Sequence, residues 1–202
     1  MRRRRRDSRP EIDRLIYFSD AVIAIAITLL VLDLQVPSGL SPTGFTRALG
    51  ALAPQFFSFG LSFLVIGRFW ISHHRLFRYL RAYDEPLLSL NLMFLLSIAF
   101  LPFPTAQLGD YPYSRAAALL YAVSIASAGL LLSLLWAYMA YGGLAIVERP
   151  TRRVVLLNCL TVPVVFGASV PLVLAGQTRV VVAIWIFLPP LARLVVRRVG
   201  AA

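Results

Sequence analysis

The chain has 202 residues, 59% of them apolar and 14% charged, and a formal net charge of +11. Soluble domains carry about 25% charged residues. Here the charges collect in short clusters between long uncharged runs, which excludes a water-soluble core and points to repeated bilayer spans. The basic surplus is all Arg and sits between apolar runs rather than on one soluble face, so it does not mark a nucleic-acid partner. The single cysteine, Cys159, lies inside an apolar run, where it has no partner for an intrachain disulfide or a metal site and reads as a small buried side chain.

Taken in chain order, Arg2 to Arg6 precede an apolar stretch, as in the n-region of a signal peptide. Asp20 and Asp33 bracket that stretch, however, and no small-residue cleavage pattern follows it. Residues 1–14 therefore read as a basic cytoplasmic tail and residues 15–198 as one membrane domain that starts with a retained helix. A helix needs about 20 apolar residues to cross about 30 Å of hydrocarbon. Six stretches qualify: 15–36, ended by Pro37; 48–71; 86–108, uncharged throughout; a span within 116–147; 154–175; and 180–196. Pro163 and Pro171 are expected to kink the fifth. The sixth is interrupted by Pro189-Pro190 and spans only if Arg193 snorkels to the interface.

Six spans place every Arg except Arg47, Arg115 and Arg179 on the side of the N-terminus. The positive-inside rule then puts both termini in the cytoplasm. The expectation is an all-α membrane protein with six transmembrane helices per subunit, multi-pass in the cell membrane.

Ionisable groups within spans are costly and mark functional or structural sites. Asp20, beside Ser19 on the first helix, is the clearest. Trp70 and His74 lie four apart at the end of the second span and share a helical face. Arg14, Asp20 and His74 then fall at similar depth, and Asp84 or Asn91 at the start of the third span could join them. Such a group is either a proton-sensitive or gating network, or a polar clamp that fixes helix packing. Catalytic chemistry is not indicated. His73 and His74 point about 100° apart on a helix, and no HExxH, cysteine pair, nucleophile elbow or phosphate loop accompanies them. No TVGYG-like filter is present either, so a pore would be lined by helix side chains alone. Small residues on the fourth helix (Ala122, Ala126, Ser127, Ala128) suit either internal packing or an oligomer interface.

At the first helix the residues form a recognisable pattern. Arg14-Leu-Ile-Tyr-Phe18-Ser19-Asp20, followed by AVIAIAITLLVLDL and by the Trp70…His74 pair, resembles prokaryotic members of the transmembrane protein 175 family, the endosomal/lysosomal potassium channels. The resemblance implies a homotetramer of six-helix subunits in a lipid bilayer. It implies permeant monovalent cations, potassium among them, no cofactor, and a pore lined by the first helix of each subunit. Carried onto this chain, Ile25, Leu29 and Leu32 would form the apolar constriction and Thr28 would supply a hydroxyl tied to potassium preference. Arg14, Phe18, Ser19, Asp20, Trp70 and His74 would form a packing or gating network on the cytoplasmic side. Ile25, Leu29 and Leu32 do follow the i, i+4, i+7 spacing of one helical face. Asp20 points about 140° away from Ile25. Asp33 is either part of a carboxylate ring at the outer mouth or a solvated helix end. The function implied is a potassium-permeable, weakly selective cation channel. A proton-coupled secondary transporter using Asp20 and His74 stands as the alternative, and a non-transporting membrane scaffold as a third class.

Overall fold

Ser41-Pro42, Asp84-Glu85-Pro86 and Ser114 carry the chemistry of helix starts. In the computed structural model, which describes residues 9–185, each starts one. Ser41 Oγ accepts from Gly44 N (3.2 Å), Asp84 Oδ1 from Leu87 N (3.1 Å) and Ser114 Oγ from Ala117 N (3.4 Å). Each cap satisfies an amide that the first helical turn leaves without an intrahelical partner. The helices are α1 (Arg9–Leu29, continued by a 3₁₀ turn Leu30–Asp33), α2 (Pro42–Ala51), α3 (Ala53–Phe77), α4 (Glu85–Phe100), α5 (Pro102–Asp110), α6 (Arg115–Tyr141) and α7 (Arg149–Leu174). Residues 178–185 are helical again.

Five stretches are long and apolar enough to cross a membrane by length and composition: Arg9–Asp33, Ala53–Phe77, Glu85–Asp110, Arg115–Tyr141 and Arg149–Leu174. Their outer faces carry exposed Leu64, Leu96, Leu157 and Val164, a surface suited to hydrocarbon rather than water. The stretch Glu85–Asp110 is two helices in series. Pro102 and Pro104 lack the amides that would continue the ladder, while Leu101 keeps helical dihedrals and carries the axis through.

The elements differ from the expected spans at definite points. The second span does not begin at residue 48. At Leu52 the backbone leaves helical values (ψ 2°), and Pro54 falls in the first turn of a new helix, so α2 separates from α3 and buries none of its own residues. The fourth falls where expected, within about 116–147, and stops at Tyr141 because Gly143 adopts φ 72°, which ends a helix. The fifth begins earlier, at Arg149, and runs on through Pro163 and Pro171. The sixth is under way by Thr178, but residues 186–196, with Pro189, Pro190 and Arg193, lie outside the described residues.

The connections sort the charges into two ends. The α3–α4 loop pairs with the α6–α7 loop: Arg81 N donates to Leu144 O (2.9 Å), Ile146 N donates to Tyr79 O (3.1 Å), and Leu80 bridges Ala145. Tyr138 Oη donates to Asp84 Oδ2 (2.7 Å), and Tyr83 donates to the Glu11 carboxylate, which brings the start of α1 to the same end. Arg9, Arg14, Arg78, Arg81, Arg149 and Arg152 thus share one end of the bundle. At the other end Arg179 lies over the Tyr113 ring (4.8 Å), and Gln55 Nε2 donates to Asp110 Oδ1 (3.3 Å). The described chain therefore has one Arg-rich and one Arg-poor end.

The most extensive helix contact is α6 against α7. It depends on a small residue facing a rigid ring. A Cβ at Gly129 would come within 2.6 Å of Pro163 Cδ and 3.1 Å of Pro163 N. Ala122 and Ala128 on α6 are fully buried inside the subunit, so these small residues serve internal packing. Gly129→Ala should lower stability by about 1–3 kcal/mol, since the proline ring cannot rotate away. Thermal unfolding in detergent measures this, and an unchanged midpoint would contradict the close approach.

Candidate functional site

Nearly every position of α1 from Ala21 to Leu32 is apolar, so its sequence does not say which face packs inward. The structure divides it. Ile12, Ser19, Ile23, Ala26 and Leu30 are buried along one stripe against α3 and α4. On the opposite side Phe18, Ile25, Leu29 and Leu32 are 51%, 60%, 42% and 59% exposed, and Thr28 is exposed beside them. The apolar residues of the free face recur at helical spacing, so they form a continuous strip along the helix.

What fixes this rotation is a hydrogen-bond chain buried under α1. Asn91 Nδ2 donates to Ser19 Oγ (2.9 Å), and Ser19 Oγ in turn donates to Leu15 O (2.9 Å). Asn91 Oδ1 lies 2.9 Å from His73 Nε2. With its amide nitrogen used as the donor to Ser19, Asn91 can only accept from His73, so the imidazole carries its proton on Nε2. The ring is fully buried and stacks on Phe77 (centroids 4.1 Å apart) and Phe94 (5.5 Å). Its Nδ1 has no hydrogen-bond partner among the described residues. Helices α1, α3 and α4 are thus joined at one level by three side chains that are fully shielded from solvent.

A second, less buried contact lies beside it. Trp70 Nε1 donates to Asp20 Oδ1 (2.9 Å), and His74 meets the Trp70 ring at 5.8 Å between centroids. Asp20 and His74 therefore share Trp70 as an intermediary: the indole N–H fills a carboxylate oxygen, and the imidazole touches the indole ring. Asp20 is turned inward toward α3, away from the Ile25 strip, as its position on the helical wheel requires.

The remaining candidate residues are placed as follows. Arg14 is exposed and makes no hydrogen bond or ion pair with a described residue. Phe18 belongs to the free strip rather than to either polar contact. Asp33 is exposed at the end of the 3₁₀ turn. Asp84 does not reach the Asp20 group, because one of its oxygens caps α4 and the other accepts from Tyr138. Thr28 Oγ1 donates to Ile25 O (2.8 Å), which directs its hydrogen into the helix and leaves its oxygen lone pairs outward.

His73 had no role in the sequence reading, and Asn91 appeared there only as an alternative to Asp84. For Asn91 the signal was a polar amide within an otherwise apolar run, a pattern that demands a partner, whereas His73 stands among Ser72, His74 and Arg75 and carried no such signal. A further polar layer also escaped notice: Ser62 Oγ lies 3.0 Å from Tyr121 Oη and 2.8 Å from Thr105 Oγ1, linking α3, α6 and α5. No group of three or more His, Cys, Asp or Glu able to hold a metal occurs among the described residues.

The two contacts should differ in weight. Asn91→Ala strands the buried His73 N–H, at about 1–3 kcal/mol, and also removes the bond that Ser19 Oγ accepts, while Ser19 keeps its donation to Leu15 O. Trp70→Phe removes one hydrogen bond at a partly wet position, worth about 1 kcal/mol. Thermal unfolding of the two variants should show the larger loss for Asn91→Ala, and the reverse order would contradict the buried chain as the principal anchor.

Comparison with known proteins agrees with this architecture. The family model described as "Endosomal/lysosomal potassium channel TMEM175" matches residues 14–102, which hold α1, α3, α4 and both polar contacts. A potassium channel of Streptomyces collinus is 38% identical over 83% of this chain and 88% of its own length. A potassium channel of Chamaesiphon minutus is 34% identical over 81% and 82% respectively. The crystal structure of a lysosomal potassium-selective channel TMEM175 homolog from Chamaesiphon minutus superposes with a TM-score of 0.77 at 29% identity, covering 89% of this chain and 96% of that one. With this sequence match and this fold, the chain belongs to the TMEM175 family, whose members are ion channels and not enzymes.

Proposed function

We propose that this protein is a potassium-permeable, weakly selective cation channel of the cell membrane, in which the free faces of four α1 helices meet around a central pore. The observation that carries this reading is the division of α1. One stripe is anchored by Ser19, and the opposite stripe presents Ile25, Leu29 and Leu32 to the outside of the subunit. In a homotetramer of six-helix subunits with both termini in the cytoplasm, that stripe would form rings of apolar side chains. Rings of this kind control passage by size and by expelling water from the narrow section. Thr28, with its lone pairs outward, supports a hydroxyl layer that cations can approach. Asp33, exposed past the end of the stripe, would add carboxylates at the outer mouth.

The Arg-rich end supports the orientation, since Lys and Arg accumulate on the cytoplasmic side. On this reading the basic tail of residues 1–14 and the connections of the 15–198 channel domain that follow α3 and α6 lie in the cytoplasm. Asp20, His74 and Trp70 act here as packing groups that hold α1 against α3, with the Ser19 chain beneath them.

Reconstitution tests this directly. Purified protein in liposomes should pass potassium down a gradient without a proton gradient, with unitary currents in a planar bilayer. Leu29→Ser should raise the conductance severalfold, because a polar ring lets the constriction stay wet. Saturable, proton-coupled uptake without unitary currents would contradict the channel reading. An unchanged conductance in Leu29→Ser would contradict the assignment of the constriction.

A further inference from the structure

At the Arg-rich end, α3 and α7 enclose a crevice of about 400 Å³. Arg68, Ser72 and Arg75 follow one another along its α3 wall, Arg78 and Tyr79 stand at the end of that helix, and Asn158 faces them from α7. Among the described residues no carboxylate lines it. Arg68 lies nine residues before Phe77, roughly 14 Å of helix, so the crevice reaches from the end of the bundle to a level flanked by membrane-spanning segments. Arg68 and Ser72 are half-buried there, while Arg75 and Arg78 are exposed.

This lining is rich in hydrogen-bond donors. Guanidinium groups only donate, and Ser72, Tyr79 and Asn158 add further donors. The complement is a group with several acceptor oxygens and negative charge, and planar guanidinium forks match phosphate in particular. The volume is that of a small-ligand site rather than of a single ion. Beside the lining, Val154 and Leu157 on α7 are exposed and apolar, so the rim offers a surface to acyl chains. We propose that this crevice binds a phosphate-bearing anionic group, supplied by the headgroup of an anionic phospholipid in the leaflet at the Arg-rich end. The proposal concerns binding and does not depend on conduction.

The test uses the full-length protein in mild detergent. Thermal unfolding is followed with phosphatidylglycerol, with phosphatidylcholine of the same acyl chains, or with inorganic phosphate. The wild type is compared with Arg75→Gln/Arg78→Gln and with Arg47→Gln, which lies at the opposite end. Phosphatidylglycerol should raise the midpoint of the wild type and of Arg47→Gln, while the other two additions do not. The double variant should need at least about tenfold more phosphatidylglycerol for the same rise. If inorganic phosphate stabilises equally, and that effect is lost in the double variant, the anion site stands and the lipid source is overturned. Equal effects of the two lipids on the wild type overturn the proposal. So does a double variant that responds to phosphatidylglycerol as the wild type does. Should the double variant not fold, mass spectrometry of lipid retained by the wild type decides the matter. Phosphatidylglycerol adducts in excess of phosphatidylcholine are required, and equal retention overturns the proposal.

Discussion

The architecture turns on three side chains: Ser19, Asn91 and His73 bond in series across α1, α4 and α3 in a solvent-inaccessible interior. An apolar helix packed only by dispersion could rotate or slide with little penalty, because one aliphatic face resembles the next. A polar chain cannot. A rotation of α1 that withdraws Ser19 leaves the buried Asn91 amide N–H without its acceptor, at about 1–3 kcal/mol. The buried chain therefore sets the azimuth of α1, and the azimuth decides which residues the helix shows to the outside. The Asp20–Trp70 contact adds a second tie on the neighbouring face at nearly the same level.

From that constraint the functional proposal follows without further adjustment of the helix. With Ser19 inward, Ile25, Leu29 and Leu32 are outward together, and Thr28 lies beside them. The rest of the bundle holds this arrangement from its two ends. The α3–α4 and α6–α7 loops pair with each other at the Arg-rich end, where Tyr83 also reaches Glu11 on α1. Gly129 and Pro163 bring α6 and α7 into close contact. The ends are tied by polar groups and the middle by shape, which suits a protein whose flanks face lipid and gain nothing from excluding water.

Different parts of this molecule were legible in the sequence to different degrees, for physical reasons. Spans are read from length and polarity, and the bilayer enforces both, so five of the expected six correspond to membrane-length helices, while most of the sixth lies outside the described residues. Boundaries fared less well where proline intervenes: Pro54 splits α2 from α3, and α7 starts ahead of the expected residue 154, with Pro150 in its first turn. The inward face of α1 was hidden because an apolar helix in a membrane protein has no amphipathic signal to read. Asp20 was legible as a residue in need of a partner because it is a charge inside a span, and Trp70 donates a hydrogen bond to it. His73 was passed over in favour of His74 because sequence spacing alone cannot rank two adjacent histidines. Only the position of Asn91 on a different helix decides between them.

The central claim is that the free strip of α1 faces a water-filled path. Exposure alone does not separate that from contact with lipid, since Leu64 on α3 is 72% exposed and Ile25 is 60%. Thiol accessibility does. In a Cys159→Ala background reconstituted in a bilayer, Ile25→Cys and Leu64→Cys would each be exposed to a membrane-impermeant, thiolate-specific reagent while current is recorded. A pore along α1 requires rapid modification and loss of current at position 25 and no effect at position 64. An inert position 25, or equal reactivity at both, would place that face of α1 against lipid and contradict the account.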